Sequence, residues 1–373
     1  MESRAKEMSY KVSVIVPVYN AEEYIVETLE SVRRQSLGFD NIQLILVDDC
    51  STDSSYRTML EWSSSFSNVV LEKTKHNSGS PALPRNTGLD LAKAPYVMFL
   101  DNDDTYTDNA CEILLDTILK TKADIVSGDS ELMASDEKFT KEEKKRLLWH
   151  TENTPEGEHV LEDPLGDWIV PFLNNHWCKI YKKELIDKYH IRSLEGEIWE
   201  DLLFLYLYLS VSSKCVYLKQ PIVRYRARRE SLSHVHDADF YCSIPRSMDF
   251  GKKCADDLGV SSKYLSLINY GFGETEYYIN EMLGNTSLSE AELSQCIKEW
   301  RGPLVYSTED GYSFHSPYCK ILSDDMKRGD VDQAVFHFLV LKELYRQRKE
   351  EISNITNSKT FKLAQMFSKL IRH

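Results

Sequence analysis

Tyr96-Val-Met-Phe-Leu-Asp101-Asn-Asp103-Asp104 decides the fold. A short apolar run ends abruptly in three carboxylates. Its length suits a strand buried on both faces, with the acids placed where the chain leaves the sheet. Open α/β sheets bind ligands at the carboxyl ends of their strands. An Asp-x-Asp at such an end can hold a hard divalent cation and, through it, a diphosphate. The stretch therefore points to a metal-dependent enzyme with an activated, phosphate-bearing substrate.

The neighbouring sequence repeats the pattern. Val12-Ser-Val-Ile-Val-Pro17-Val-Tyr19-Asn20 reads as a buried strand stopped by Pro17, followed by a helix over 21–35. Ile42 to Val47 is a second strand ending in Asp48-Asp49-Cys-Ser-Thr-Asp53, with a helix from about Ser54. Val69 to Leu71 is a third, followed by the loop His76-Asn77-Ser-Gly79-Ser-Pro81 and a helix to about Ala92. After the 95–100 strand come a helix over 109–120 and a fifth strand over 124–127. Such alternation means βαβ units and a mostly parallel sheet. The first strand–helix turn has no glycine, which argues against a dinucleotide fingerprint. The pattern fades over 131–162 and resumes at 168–181; beyond about Ala238 the chain reads as helical and rich in aromatics.

Bulk properties set limits. A chain of 373 residues suggests two domains. A net charge of −14 disfavours a nucleic-acid binder. Eight cysteines without CxxC spacing read as free thiols in a reducing cytosol. No apolar run reaches the roughly 18 residues of a membrane span, and the polar N-terminus lacks a signal-peptide core. These features predict a cytoplasmic protein, soluble or peripheral on the inner face of the membrane.

Five local features converge. They are Pro17-Val-Tyr19-Asn20; Asp48-Asp49 with Asp53; Asn77-Ser-Gly79 with Arg85-Asn86; Asp101-Asn102-Asp103-Asp104; and, further on, Trp199-Glu200-Asp201 with Arg228-Arg-Glu-Ser-Leu-Ser-His234. In order and spacing this set resembles the inverting family-2 glycosyltransferases with the GT-A fold, over about residues 11–240. The resemblance implies a Rossmann-like, mixed and mostly parallel sheet flanked by helices, with a helical C-terminal region. The expected organisation is a catalytic domain over 1–238, split into a nucleotide-sugar-binding half (about 11–130) and an acceptor-side half (about 131–238), then a helical domain over 239–373.

The resemblance also implies roles. Asp49 would accept a hydrogen bond from a pyrimidine, Tyr19 pack on the base, and the Pro17 carbonyl add a contact; the alternative for Asp48, Asp49 and Asp53 is capping and turn formation. Asn20, Asn77, Asn102 and Arg228 join the nucleotide-sugar set. Arg85 would meet the pyrophosphate or the sugar, Asp101 the ribose or the metal shell. Asp103 and His234 would ligate Mg2+ or Mn2+, with His236 as competitor for the second place. Asp201 is the implied general base, Glu200 its alternative. A carboxylate in a helix's first turn is held ionised by the dipole, which lowers its pKa. His176, Trp177 and Lys179 would line the acceptor cleft. Pro84 stands awkwardly deep in its helix. The implied activity is transfer of a hexosyl or N-acetylhexosaminyl group from a UDP-sugar to a glycan or lipid-linked glycan. The rivals are a sugar-nucleotidyltransferase and a non-catalytic nucleotide-sugar-binding or scaffold protein. In the tail 359–373, Leu363, Met366, Phe367 and Leu370 share a face opposite basic residues. That face suits a membrane surface, the domain itself or a second subunit of a homo-oligomer.

Overall fold

The computed structural model describes residues 10–133, 156–162, 176–197, 199–227, 237–272, 274–285, 287–308 and 312–357. They divide into two compact units. The first covers the chain to residue 235 together with 247–272; the second covers 236–246 and everything from 273 onward.

A single nine-stranded sheet organises the first unit. Strands β1 (Val12–Val18), β2 (Ile42–Asp48), β3 (Val69–Lys73) and β4 (Tyr96–Phe99) form its all-parallel half, in the order β3-β2-β1-β4. All seven residues of β1 and of β2 are buried, as expected for strands covered on both faces. Helices α1 (Ile25–Arg33), α2 (Ser55–Ser63), α3 (Ala82–Leu91) and α4 (Ala110–Thr121) cover the sheet. Close approach of α3 to β1 depends on Gly88, where a Cβ would lie 2.4 Å from a methyl of Ile15.

Beyond β4 the sheet changes character. Strand β8 (Lys179–Lys182) inserts antiparallel between β4 and β6 (Ile125–Leu132). Strand β9 (Cys215–Tyr225) runs parallel to β6, and the short strands β5 (Thr105–Tyr106) and β7 (Glu158–Leu161) pair antiparallel with it. Strands β5, β7, β8 and β9 went unread in the sequence. Helix α5 (Lys183–Lys188) follows β8, and α6 (Glu200–Val211) precedes β9. Nine of the twelve residues of α6 are buried, so it is a core helix without a polar face.

Two expectations need correction. Pro17 does not stop β1, which continues to Val18 in register with Asp48. Ile15 bonds toward β4 (Leu100 N to Ile15 O, 3.1 Å) and Val18 toward β2 (Asp49 N to Val18 O, 2.7 Å). Position 17 therefore faces the β4 side, where pairing has ended at Ile15, and its missing N–H breaks no ladder bond. Pro84 is equally unstrained: it is the third residue of α3, among the first four N–H groups that lack intrahelical partners anyway.

The second unit is helical. It contains the start of α7 (Ala238–Asp257), whose later turns belong to the first unit along with α8 (Ser261–Ser266). Helices α9 (Glu274–Gly284), α10 (Glu290–Glu299), α11 (Arg301–Tyr306), α12 (Pro317–Lys327) and α13 (Val331–Asn357) follow. Fully buried Trp300 lies at its core and donates its indole N–H to Tyr241 O (3.0 Å). Among the described residues no helix is long and apolar enough to cross a membrane.

Candidate active site

β1 and β4 are paired neighbours up to Ile15 and Phe99, and the loops beyond their ends lie where strand order reverses, the favoured ligand position of an open α/β sheet. A cavity of about 390 Å³ lies there, within the range of small-molecule sites. Pro17, Tyr19, Asp49, Asn77, Arg85, Asp101, Asn102 and Asp103 line it, eight of the residues singled out from the sequence. Tyr19 is 44% exposed and offers an open aromatic ring. The Asp49 carboxylate is buried and fixes the third-strand loop: it accepts from Thr74 Oγ1 (2.9 Å), Ser78 N (2.9 Å) and Ser78 Oγ (2.8 Å). A carboxylate has about four lone-pair sites, so one further donor can be accommodated.

Asn20 sits elsewhere. Its side chain accepts from Thr52 N (2.8 Å) and ties the turn after β1 to the loop after β2, so it shapes the rim instead of lining the wall. Asp53 serves the turn before α2, whose N-cap position is Ser54, accepting from Ser55 N (2.9 Å) and Glu22 N (3.1 Å).

The acidic turn after β4 is braced from two sides. Thr28 of α1 donates its hydroxyl to the carbonyls of Asn102 (3.0 Å) and Asp104 (2.8 Å). From the end of β9, Arg226 donates Nε to Asp103 O (2.9 Å) and its backbone N–H to Asp104 Oδ1 (2.8 Å). Burial, with Asp103 and Asp101 nearby, drives the Asp104 carboxyl well above its usual range. Asp104, Tyr225 and Arg226 also line the cavity, and none was assigned a role from the sequence. Recognising β9 would have exposed the last two, since Arg226 directly follows its alternating Val-Arg-Tyr end.

Arg85 joins the two sides of the site. It is 5% exposed, donating one NH2 group to Asp101 Oδ1 (2.8 Å) and the other to Glu200 Oε1 (2.7 Å). Asp101 is thereby tied to the first residue of α6, next to Asp201. Burial pushes the Glu200 carboxyl up to about 7, with Asp201 adding to the rise and Arg85 opposing it. Burial also raises Asp201, although Arg85 and the Leu202 N–H pull it down. The expected lowering by the helix dipole is thus overridden by desolvation, which disfavours the charged form.

The acceptor-side trio lies deeper than expected. His176 is fully buried against Phe99 (ring centroids 4.7 Å) and near Phe204 (5.9 Å), and burial pushes its imidazole well below its usual pKa. Lys179 is 1% exposed, and burial lowers its ammonium to about 8. Half-buried Trp177 stacks on the cavity residue Tyr225 at 5.7 Å. None of the three lines the cavity. Arg228, His234, His236 and the tail 359–373 lie outside the described residues.

Among the described residues no three His, Cys, Asp or Glu side chains gather as a metal set. Asp101, engaged by Arg85, and Asp104, engaged by the Arg226 N–H, share this wall with Asp103. An all-protein metal cage does not fit this wall. A cation held by one or two carboxylates and completed by phosphate and water oxygens does, which is the usual Mg2+ mode.

Residues 13–189 match the family model described as Glycosyl transferase family 2. That segment, just under half of the chain, is the part that resembles the family. The minor teichoic acid biosynthesis protein GgaB of Bacillus subtilis is 30% identical over 239 residues, covering 62% of this chain and 25% of GgaB. Glycosyltransferase GlyG of Streptococcus pneumoniae is 28% identical over 268 residues, 67% of this chain and 81% of GlyG. The poly(ribitol-phosphate) β-N-acetylglucosaminyltransferase TarS of Staphylococcus aureus is 39% identical over 94 residues, 25% of this chain and 16% of TarS. The chain therefore spans a minor part of GgaB and TarS and most of GlyG. The crystal structure of TarS 1–349 in complex with UDP-GlcNAc superposes with a TM-score of 0.71 over 90% of this chain and 92% of that one. At 21% identity over that length, the match establishes the GT-A fold.

Proposed function

We propose that this chain is an inverting, metal-dependent glycosyltransferase. It would move a hexosyl or N-acetylhexosaminyl group from a UDP-sugar to a hydroxyl of a cell-surface glycan or its lipid-linked precursor. The observation that carries the reading is the Asp101–Arg85–Glu200 bridge, which joins the acidic donor wall to the helix start that bears Asp201. The first unit would be the catalytic domain.

The donor's uridine is assigned to the shelf of Pro17, Tyr19 and Asp49, where an open ring and a fixed carboxylate line one wall. Asp201 takes the proton of the acceptor hydroxyl. Its raised pKa favours this task, because a base works best with a pKa near the operating pH. The acceptor oxygen attacks the anomeric carbon from the face opposite the nucleotide, and the bond to the UDP oxygen breaks. Arg85 supplies fixed positive charge between the two carboxylates throughout. A divalent ion on Asp103, with His234 as its second protein ligand, would neutralise charge gathering on the leaving UDP. Inversion of a UDP-α-sugar gives a β-linked product, the configuration named for TarS. The poly(ribitol-phosphate) named for TarS, with the teichoic acid biosynthesis named for GgaB, favours a polyol-phosphate polymer as acceptor. The basic amphipathic tail over 359–373 would bring the enzyme to the inner membrane face, where lipid-linked acceptors are presented.

The test is UDP release from a panel of UDP-sugars with Mg2+ or Mn2+, with and without a polyol-phosphate polymer. Release from one donor, abolished by EDTA and by Asp103→Ala, is the expected result. Tight UDP binding with no release in the presence of polymer would leave only a nucleotide-sugar-binding protein. Absence of any UDP binding would remove the donor assignment altogether.

A further inference from the structure

None of the eight cysteines is in a disulfide, and two of them touch. In the second unit, Cys242 Sγ and Cys296 Sγ lie 3.1 Å apart, both buried. That separation exceeds an S–S bond of ~2.05 Å by about 1 Å. The two thiols come from different helices, α7 and α10, and the contact has independent support. Pro245 sits in α7 four residues after Tyr241, so it cannot give the Tyr241 carbonyl the usual i+4 N–H bond. The Trp300 indole fills that vacancy at 3.0 Å. Trp300 N in turn donates to Cys296 O (3.2 Å), and Cys296 Sγ reaches Ala238 O at 3.5 Å. The residues flanking each sulfur are thus pinned to the opposite segment.

We infer that Cys242 and Cys296 are a pre-positioned dithiol that small-molecule disulfides close to an intramolecular disulfide, a redox latch within the second unit. The inference does not rest on the proposed transfer reaction. Cys242 is the attacking thiol: it is the more exposed of the two, at 7% against 0%, and its contact with the Cys296 sulfur holds its thiol below the usual range. Its thiolate attacks one sulfur of the oxidant and releases one small thiol as a mixed disulfide forms. The Cys296 thiolate then attacks the Cys242 sulfur and releases the second small thiol. The protein loses two electrons and two protons, and one oxidant disulfide becomes two thiols.

The experiment treats the reduced full-length protein with glutathione disulfide under native conditions, blocks remaining thiols and maps the peptides. The expected product is a Cys242–Cys296 cross-linked peptide with no glutathione retained at either residue. The cross-linked protein should melt roughly ten degrees higher than the reduced form, because the bond closes a long loop. Dithiothreitol should reverse both changes. In Cys296→Ser, Cys242 should retain glutathione instead, which identifies the attacking thiol without requiring the latch. Reaction at the partly exposed Cys50 and Cys254 with no Cys242–Cys296 peptide would overturn the inference. So would a cross-link that forms only in urea, or one that lowers the melting temperature, since either means that the helices must distort to reach it.

Discussion

The two halves of the sheet handle polarity in opposite ways. In the parallel half, β1 and β2 are apolar apart from Ser13 and Gln43, which bond each other (2.7 Å), and Asp48 at the end of β2. The chemistry sits on loops beyond the strand ends. In the other half, charge is inside: Lys179 of β8 and Asp129 of β6 are buried in the sheet itself, and Glu200 is 7% exposed at the start of α6. The proposed donor side is positioned by topology, whereas the proposed base side depends on charges that compensate one another. Substitutions on the donor wall should therefore change binding, and those on the base side should change rate, stability and pH response.

The sharpest test is Asp201→Asn. Loss of a general base costs roughly 10²–10⁴-fold in rate, so turnover should fall by that factor while UDP affinity, read by calorimetry, stays unchanged. Tyr19→Ala should do the reverse, weakening UDP binding with little effect on saturated turnover. If both variants lost binding and rate together, the division between the halves would fail.

Arg85 spans that division. Arg85→Met would leave Asp101 and Glu200 without their shared cation. Breaking a buried pair typically costs 3–5 kcal/mol, so a loss of about that size is expected by urea denaturation at pH 8. Below pH 7 the loss should shrink, because a Glu200 carboxyl already pushed up to about 7 then takes a proton. A loss of equal size at pH 5.5 would mean that Arg85 acts by packing.

Gly88→Ala tests the donor side by shape alone. The added methyl would meet Ile15 at 2.4 Å, and overpacking of this kind costs about 1–3 kcal/mol. The methyl introduces no charge, so the cost should be the same at pH 5.5 and 8.

How much was legible follows the same division. The parallel half reads from sequence because its strands are continuous apolar runs ending in acids, and eight assigned residues share one cavity wall. The other half does not. Cys215–Tyr225 is interrupted by Lys219-Gln-Pro221, and β8 carries a lysine at its start, so neither shows a clean period. Missing β9 meant missing Tyr225 and Arg226. Local reasoning also failed on Asp201: the dipole argument was sound, but burial, which depends on the tertiary fold, outweighed it.

The smallest expected effect is a slope. Burial lowers Lys179 to about 8 from 10.5 in the unfolded chain. Between those values the unfolded state binds more protons than the native state, so this lysine makes stability rise with pH across that window. Below pH 8 both states are protonated, and the cost of the buried charge is fully present. Lys179→Met should therefore be more stable than the parent at pH 7, with an advantage that narrows from pH 8 toward 10. Readings belong below pH 10, because tyrosines such as Tyr181, whose burial raises their phenols, bring the opposite slope above it. Urea midpoints at pH 7, 8, 9 and 9.5 for both proteins measure the difference. Parallel curves would mean that Lys179 titrates like a solvated lysine, and the base side would lose the buried cation that sets it apart from the donor side.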